Sequence, residues 1–214
     1  MKTRIVPIVC LCTLLGCREQ ITPDLILEKS IEYHDPEGRW KTFDGSFKVN
    51  LMNNDTLQRT TFVEMDIATG YFWYRQNEVE AGVVMDSCFV ISGERTCDQI
   101  QRTRNYYVYL WGLPMKLRDP GTRLEPELTE EEFRGRPCYV LNVRYEKDVW
   151  FYYIDKENHA LKGYMFYQDE ANKQGEVIYL DEEELLDGMK IPKNRTWYTT
   201  PDHELLGTDI LVVK

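Results

Sequence analysis

The feature that most constrains this chain is alternation with a period of two, repeated in short runs that tight turns interrupt. In SFKVNLM, Phe47, Val49 and Leu51 alternate with Ser46, Lys48 and Asn50, the pattern of a strand with one buried face. NND then turns into TLQRTTFVEMDI, a long second strand. YFWYRQ, VEAGVVM and SCFVIS follow, separated by ATG and NE turns. After residue 137 the pattern resumes with CYVLNVRYE, VWFYYID, ALKGYMFYQ, GEVIYL, NRTWYTT and GTDILVVK. Tyr139, Leu141, Val143 and Tyr145 share one face of the first of these, and EKD and KENH read as hairpin turns. DEEELLDG reads as a solvated acidic loop rather than a helical turn. Runs of this kind, joined by such turns, specify an antiparallel meander.

Two stretches break the alternation. ITPDLILEKSIEYHDPEG reads as a helix, with Thr22 as N-cap and Pro23 at the first helical position, where a missing N–H costs nothing. Leu27 and Ile31 lie one turn apart, and Pro36 and Gly38 stop it. The second stretch, GERTCDQIQRTRNYYVYLWGLP, places Cys97, Ile100, Tyr107, Val108 and Trp111 on one helical face. Thr96 and Gln99 have capping-box spacing, and Gly112 and Pro114 end the helix. The loop LPMKLRDPGTRLEPE follows, long enough to be a candidate functional segment. One or two helices with nine to eleven strands resolve most economically as mainly β (α+β): one strongly curved antiparallel sheet, an open half-barrel, wrapped around plugging helices. A single domain over residues 23–214 is expected.

The N-terminus, MKTRIVPIVCLCTLLGCREQ, has Lys2 and Arg4, then no charge from Ile5 to Gly16. That run is shorter than the roughly 20 residues a spanning helix needs and has the layout of a secretory signal. Leu14-Leu15-Gly16-Cys17 resembles the lipobox of bacterial lipoproteins. The resemblance implies removal of residues 1–16, diacylglycerol on the Cys17 thiol, and a lipidated tether over residues 17–22. The expected location is the cell envelope, anchored to the outer membrane. Arg18-Glu19-Gln20 lacks a strong acidic run, which favours display toward the periplasm. Cys10 and Cys12 would leave with the signal. Cys88, Cys97 and Cys138 then remain, enough for one internal disulfide and one free thiol. Cys88 and Cys97 are the candidates to bridge a strand to the start of a helix; the alternative is three buried thiols.

The chain carries 26 basic and 36 acidic residues, a balance that repels phosphate backbones and argues against a nucleic-acid partner. It has no G-x-S-x-G, H-E-x-x-H, Walker or C-x-x-C motif. Its histidines, His34, His159 and His203, neighbour turn residues and read as solvated. A metal site from His34, Asp35 and His203 is conceivable but disfavoured, so no metal, cofactor or catalytic residue is assigned. The richest signal is aromatic. Trp73, Tyr107, Trp111, Phe151, Met165 and Trp197 could line an apolar cavity, with Leu113 to Gly121 as a lid and Met115 as its adaptable contact. The bland alternative is that these side chains fill the core. Thr56, within Asp55-Thr56-Leu57, resembles an O-glycosylation acceptor of Bacteroidota envelope proteins.

Three segments, YYVYLWGLPMKLRDPGT, WFYYIDKENHALKGYMFY and KIPKNRTWYTTPDHELLGTDIL, resemble a family of uncharacterised lipoproteins from Bacteroidota-type bacteria. That architecture is similar to the LolA and LolB lipoprotein carriers, where a curved sheet holds acyl chains against plugging helices. Trp150 to Leu161 is like a hairpin of those carriers. The resemblance implies a non-enzymatic, membrane-anchored protein binding an acyl chain, lipid or lipoprotein. Two further readings stay open: a partner-binding lipoprotein with a packed core, and an envelope hydrolase with His34 or His203 beside two carboxylates.

Overall fold

The computed structural model describes residues 21–213. Helix α1 spans Pro23–His34; the Thr22 hydroxyl accepts from the Leu25 N–H at 3.2 Å, and Pro23 opens the first turn. Ile26, Leu27, Ser30 and His34 form its buried stripe. Both Asp35 carboxylate oxygens then accept backbone N–H groups, from Arg39 at 2.7 Å and Trp40 at 2.9 Å. They nucleate a 3-10 turn over Arg39–Thr42 that seats Trp40 in the core.

Five strands follow: β1 Asp44–Asn53, β2 Thr56–Asp66, β3 Tyr71–Gln76, β4 Val79–Val84 and β5 Ser87–Ser92. Helix α2, Cys97–Trp111, opens with the expected capping box between Thr96 and Gln99. Seven strands complete the chain: β6 Thr129–Phe133, β7 Arg136–Arg144, β8 Val149–Asp155, β9 Leu161–Asp169, β10 Gln174–Leu186, β11 Met189–Thr200 and β12 Leu205–Val212. All belong to one sheet, in the order β5-β4-β3-β2-β1-β12-β11-β10-β9-β8-β7-β6. Every pairing between neighbours is antiparallel, and β1 pairs with β12 from Lys48↔Val212 to Met52↔Thr208.

The sheet is open, and α2 explains its curvature. Tyr107 of α2 stacks on Phe72 of β3 at 6.3 Å, while the Tyr109 hydroxyl meets that of Tyr152 in β8 at 2.7 Å. Those strands are third from opposite edges and would stand about 34 Å apart on a flat sheet. A helix about 10 Å wide touches both only if the sheet curls around it. The space inside is filled: Leu27, Met65, Phe72, Ile100, Tyr107, Trp111, Tyr152 and Tyr164 are all buried. A smaller cluster covers part of the outer face, where Phe133 stacks on Tyr153 at 4.0 Å. Phe133 also lies over Gly163, where an added Cβ would come within 2.5 Å of its ring.

Four expectations need correction. DEEELLDG is not a loop: β10 continues through it to a Leu186-Asp187-Gly188-Met189 hairpin. Cross-strand partners make this tolerable, since Lys193 pairs with Glu182 and Glu184 and Asn194 donates to Glu182. The described residues form twelve strands rather than nine to eleven, because the acidic segment TEEEF forms edge strand β6, its three glutamates exposed. The segment after α2 is no loose lid, because Leu113, Met115 and Leu117 are buried and Arg118 is tied to Asp24 at 2.7 Å. His34 is not solvated but fully buried. Its Nδ1 meets the Lys190 carbonyl at 2.6 Å, and its Nε2 accepts the Leu161 N–H at 2.9 Å. The disulfide expectation corresponds to a Cys88–Cys97 bond fastening β5 to the first turn of α2; Cys138 is a free, buried thiol.

Candidate functional site

On the inner face of the sheet, the register sets Trp150, Phe166, Glu176 and Thr199 side by side across β8, β9, β10 and β11. Trp197 stands two residues from Thr199 on the same face. Above this row runs α2, with Tyr106 and Tyr109 one turn apart. Between helix and sheet is a trough of about 580 Å³, walled by Tyr106, Tyr109, Trp150, Phe166 and Trp197, with Glu176 among them and Arg104 and Lys116 on its rim. A second depression of about 230 Å³ shares Tyr106, Glu176 and Trp197 and extends to Leu51, Arg59 and Asp209.

The walls are ordered by contacts between rings. Trp150 stacks on Phe166 at 4.5 Å, and Tyr106 stacks on Trp197 at 5.9 Å. Tyr109 meets Trp150 edge-on at 5.9 Å and is held by Tyr152 and, at 3.1 Å, by Tyr145. Burial raises the phenols of Tyr106, Tyr109 and Tyr152, so they stay neutral donors. Under the trough, Tyr106 donates to the buried Asp209 carboxylate at 2.5 Å, and burial raises that carboxyl. Buried Arg195 donates to the carbonyls of Pro192 at 2.7 Å and Leu110 at 3.2 Å, and lies 4.1 Å over the Trp111 ring. A cation on a carbonyl in the last turn of α2 complements the helix dipole and fixes the helix on the sheet.

The residues expected to line one cavity separate into four places. Trp197 lines the trough. Tyr107 and Trp111 lie beneath it in the packed core, and Met115 borders a different depression beside Trp40 and Arg118. Trp73, Phe151 and Met165 stand on the outer face: Trp73 donates to Glu80 at 3.3 Å beside Arg75, and Phe151 pairs with Met165 next to the Phe133 cluster. His203 is also outside, stacked on Tyr198 at 4.2 Å and bonded to Tyr179 at 2.9 Å. It does not join His34, whose nitrogens are both occupied. Among the described residues, no three His, Cys, Asp or Glu side chains are grouped to hold a metal. Thr56 is exposed at the β1–β2 hairpin. Cys17 lies outside the described residues.

Sequence reading missed Tyr106, Tyr109, Trp150, Phe166, Glu176, Arg195 and Asp209. A signal existed, since Arg195 shares the parity of Trp197, and Asp209 that of Leu211, in strands whose inner faces are otherwise apolar.

A family model matches residues 2–214. The chain belongs to a family of unknown function, DUF6503. No curated protein matches it by sequence. Among solved structures, it is similar to a LolA superfamily protein from Nitrosomonas europaea, at 12% identity over 91% of this chain and 93% of that one, with a TM-score of 0.46. It is also similar to a candidate outer membrane lipoprotein-sorting protein domain from Vibrio parahaemolyticus, at 11% identity over 86% and 89%, with a TM-score of 0.44.

Proposed function

We propose that this DUF6503 protein is a lipoprotein of the bacterial cell envelope, anchored through Cys17 at the outer membrane and facing the periplasm. It holds the apolar part of an amphipathic ligand, such as an acyl chain, lipid or lipoprotein, without catalysing a reaction on it. The observation that carries this reading is the aromatic trough between α2 and strands β8 to β11. Its volume, about 580 Å³, lies in the range of small-molecule sites, and its apolar walls with few polar groups are their usual lining. The core beneath α2 is full, so the ligand lies in the trough along the helix, on the sheet side, rather than in an enclosed cavity beneath it. That same dense core favours a second reading, a partner-binding module that presents its surface and takes up no small molecule.

Native mass spectrometry separates the two. The full-length protein is extracted from the envelope in detergent, released in the gas phase, and its organic extract is analysed. The expected result is a mature mass beginning at lipidated Cys17, plus a co-purifying acyl species that Trp197→Asp abolishes. A wild-type protein free of ligand that takes up neither fatty acid nor phospholipid refutes the carrier reading.

A further inference from the structure

We propose that the trough is a site for an organic ammonium group, with Glu176 as its counter-ion and Tyr106, Trp150, Phe166 and Trp197 as its walls. This rests on the trough being the ligand site and adds the chemical class of the ligand's polar end. Glu176 sits where two depressions meet and lines both. It is half-buried, yet among the described residues no ion pair or hydrogen bond reaches its carboxylate. Several other carboxylates of the sheet and its turns are matched: Glu170 with Arg144, Asp181 with Arg134, Glu130 with Lys156, Glu182 and Glu184 with Lys193, Asp209 with Tyr106. Withdrawing a charge from water without a partner is costly, so the partner of Glu176 is to be sought outside the chain. Burial alone raises its carboxyl above the usual range, with no cation acting on it.

The walls point to the same ligand. Trp150 and Phe166 stack on one side and Tyr106 and Trp197 on the other, and aromatic faces attract a cation electrostatically, most strongly when it is alkylated and poorly hydrated. The protein's own cations do not compete for the place. Lys116 is paired with Asp119, while Arg104, which leans on Asn105 at 3.4 Å, and Arg59, which borders the second depression, make no ion pair with Glu176. An anionic head would meet the Glu176 charge, whereas a quaternary or primary amine would neutralise it and still leave the alkyl portion on the rings.

The test uses water-soluble probes with one chain length and three head charges. Hexyltrimethylammonium, hexanol and hexyl sulfate are titrated by calorimetry into the full-length protein in non-ionic detergent. The ammonium probe is expected to bind about tenfold more tightly than the other two. Glu176→Gln should bring it to the level of hexanol, and Trp197→Leu should weaken the ammonium while hexanol is nearly unchanged. Thermal melts verify that both variants fold. Equal affinities for the three probes, or an ammonium affinity unmoved by Glu176→Gln, overturn the inference and leave the trough as a site for apolar chains. If no probe binds the wild-type protein, the inference and the ligand-binding reading fall together.

Discussion

His34 makes this fold sensitive to acid in a calculable way. Its ring is fully enclosed; Nδ1–H donates to the Lys190 carbonyl and Nε2 accepts from Leu161, so one neutral tautomer satisfies both. A second proton would put an N–H against the Leu161 N–H and bury a charge. Burial is accordingly the main cause that lowers the ring from 6.5 to about 4. Between those values the unfolded chain binds the proton and the folded chain does not. Stability present at neutral pH is therefore lost as pH falls through 6.5, and the loss is complete near 4. The gap corresponds to about 3 kcal/mol, with about 2 kcal/mol already gone at pH 5. Urea denaturation at pH 7, 6, 5 and 4 measures it. His34→Gln is the control: it is less stable at pH 7, but its stability should decline by about 3 kcal/mol less on acidification. Every other titrating group is common to both proteins, so the difference isolates this ring. Parallel stability curves for wild type and His34→Gln would refute the argument.

Two further outcomes follow from packing and covalent structure. Trp111→Ala removes a fully buried ring that stacks against Phe47 and carries Arg195 on its face. A loss of about 3–5 kcal/mol is expected in denaturant titration, and a loss below 1 kcal/mol would mean that the space beneath α2 is not filled as described. Replacing Cys88 and Cys97 by serine opens a short loop (sequence separation 9) and should cost about 2–3 kcal/mol by chain entropy. The same decrease should appear when reductant is added to the wild type, and an unchanged midpoint in both experiments would argue that the bond does not form.

Most of the architecture was legible because local patterns agree with the global fold. YFWYRQ, SCFVIS and VWFYYID became β3, β5 and β8 with the boundaries read from alternation, and Thr96 with Gln99 capped α2 as the spacing required. The failures share one physical cause. TEEEF and DEEELLDG are charged and carry no apolar alternation, so they pair only because neighbouring strands supply Val140, Cys138, Lys193 and Asn194. That information is non-local. His34 failed for the same reason, since the groups that desolvate it lie 127 and 156 residues away. For the site, aromatic content was visible but the face was not. Trp73 and Phe151 alternate with Phe72 and Tyr152 in strands apolar on both sides, and composition cannot say which parity turns toward α2. Trp197 was identifiable; its companions Tyr106 and Glu176 required the curl of the sheet.

The pairing of β1 with β12 carries a consequence for biogenesis. The two meanders, β1 to β5 and β6 to β12, meet only along that seam, between segments some 160 residues apart. A chain synthesised N-terminus first presents β1 as a raw edge until β12, residues 205–212, is available to cover it. Closing so long a loop is slow, and an uncovered edge recruits strands from other chains. Assembly of this protein is thus a race decided at β12, and deletion of that strand should be far more damaging to yield than its small share of the core suggests.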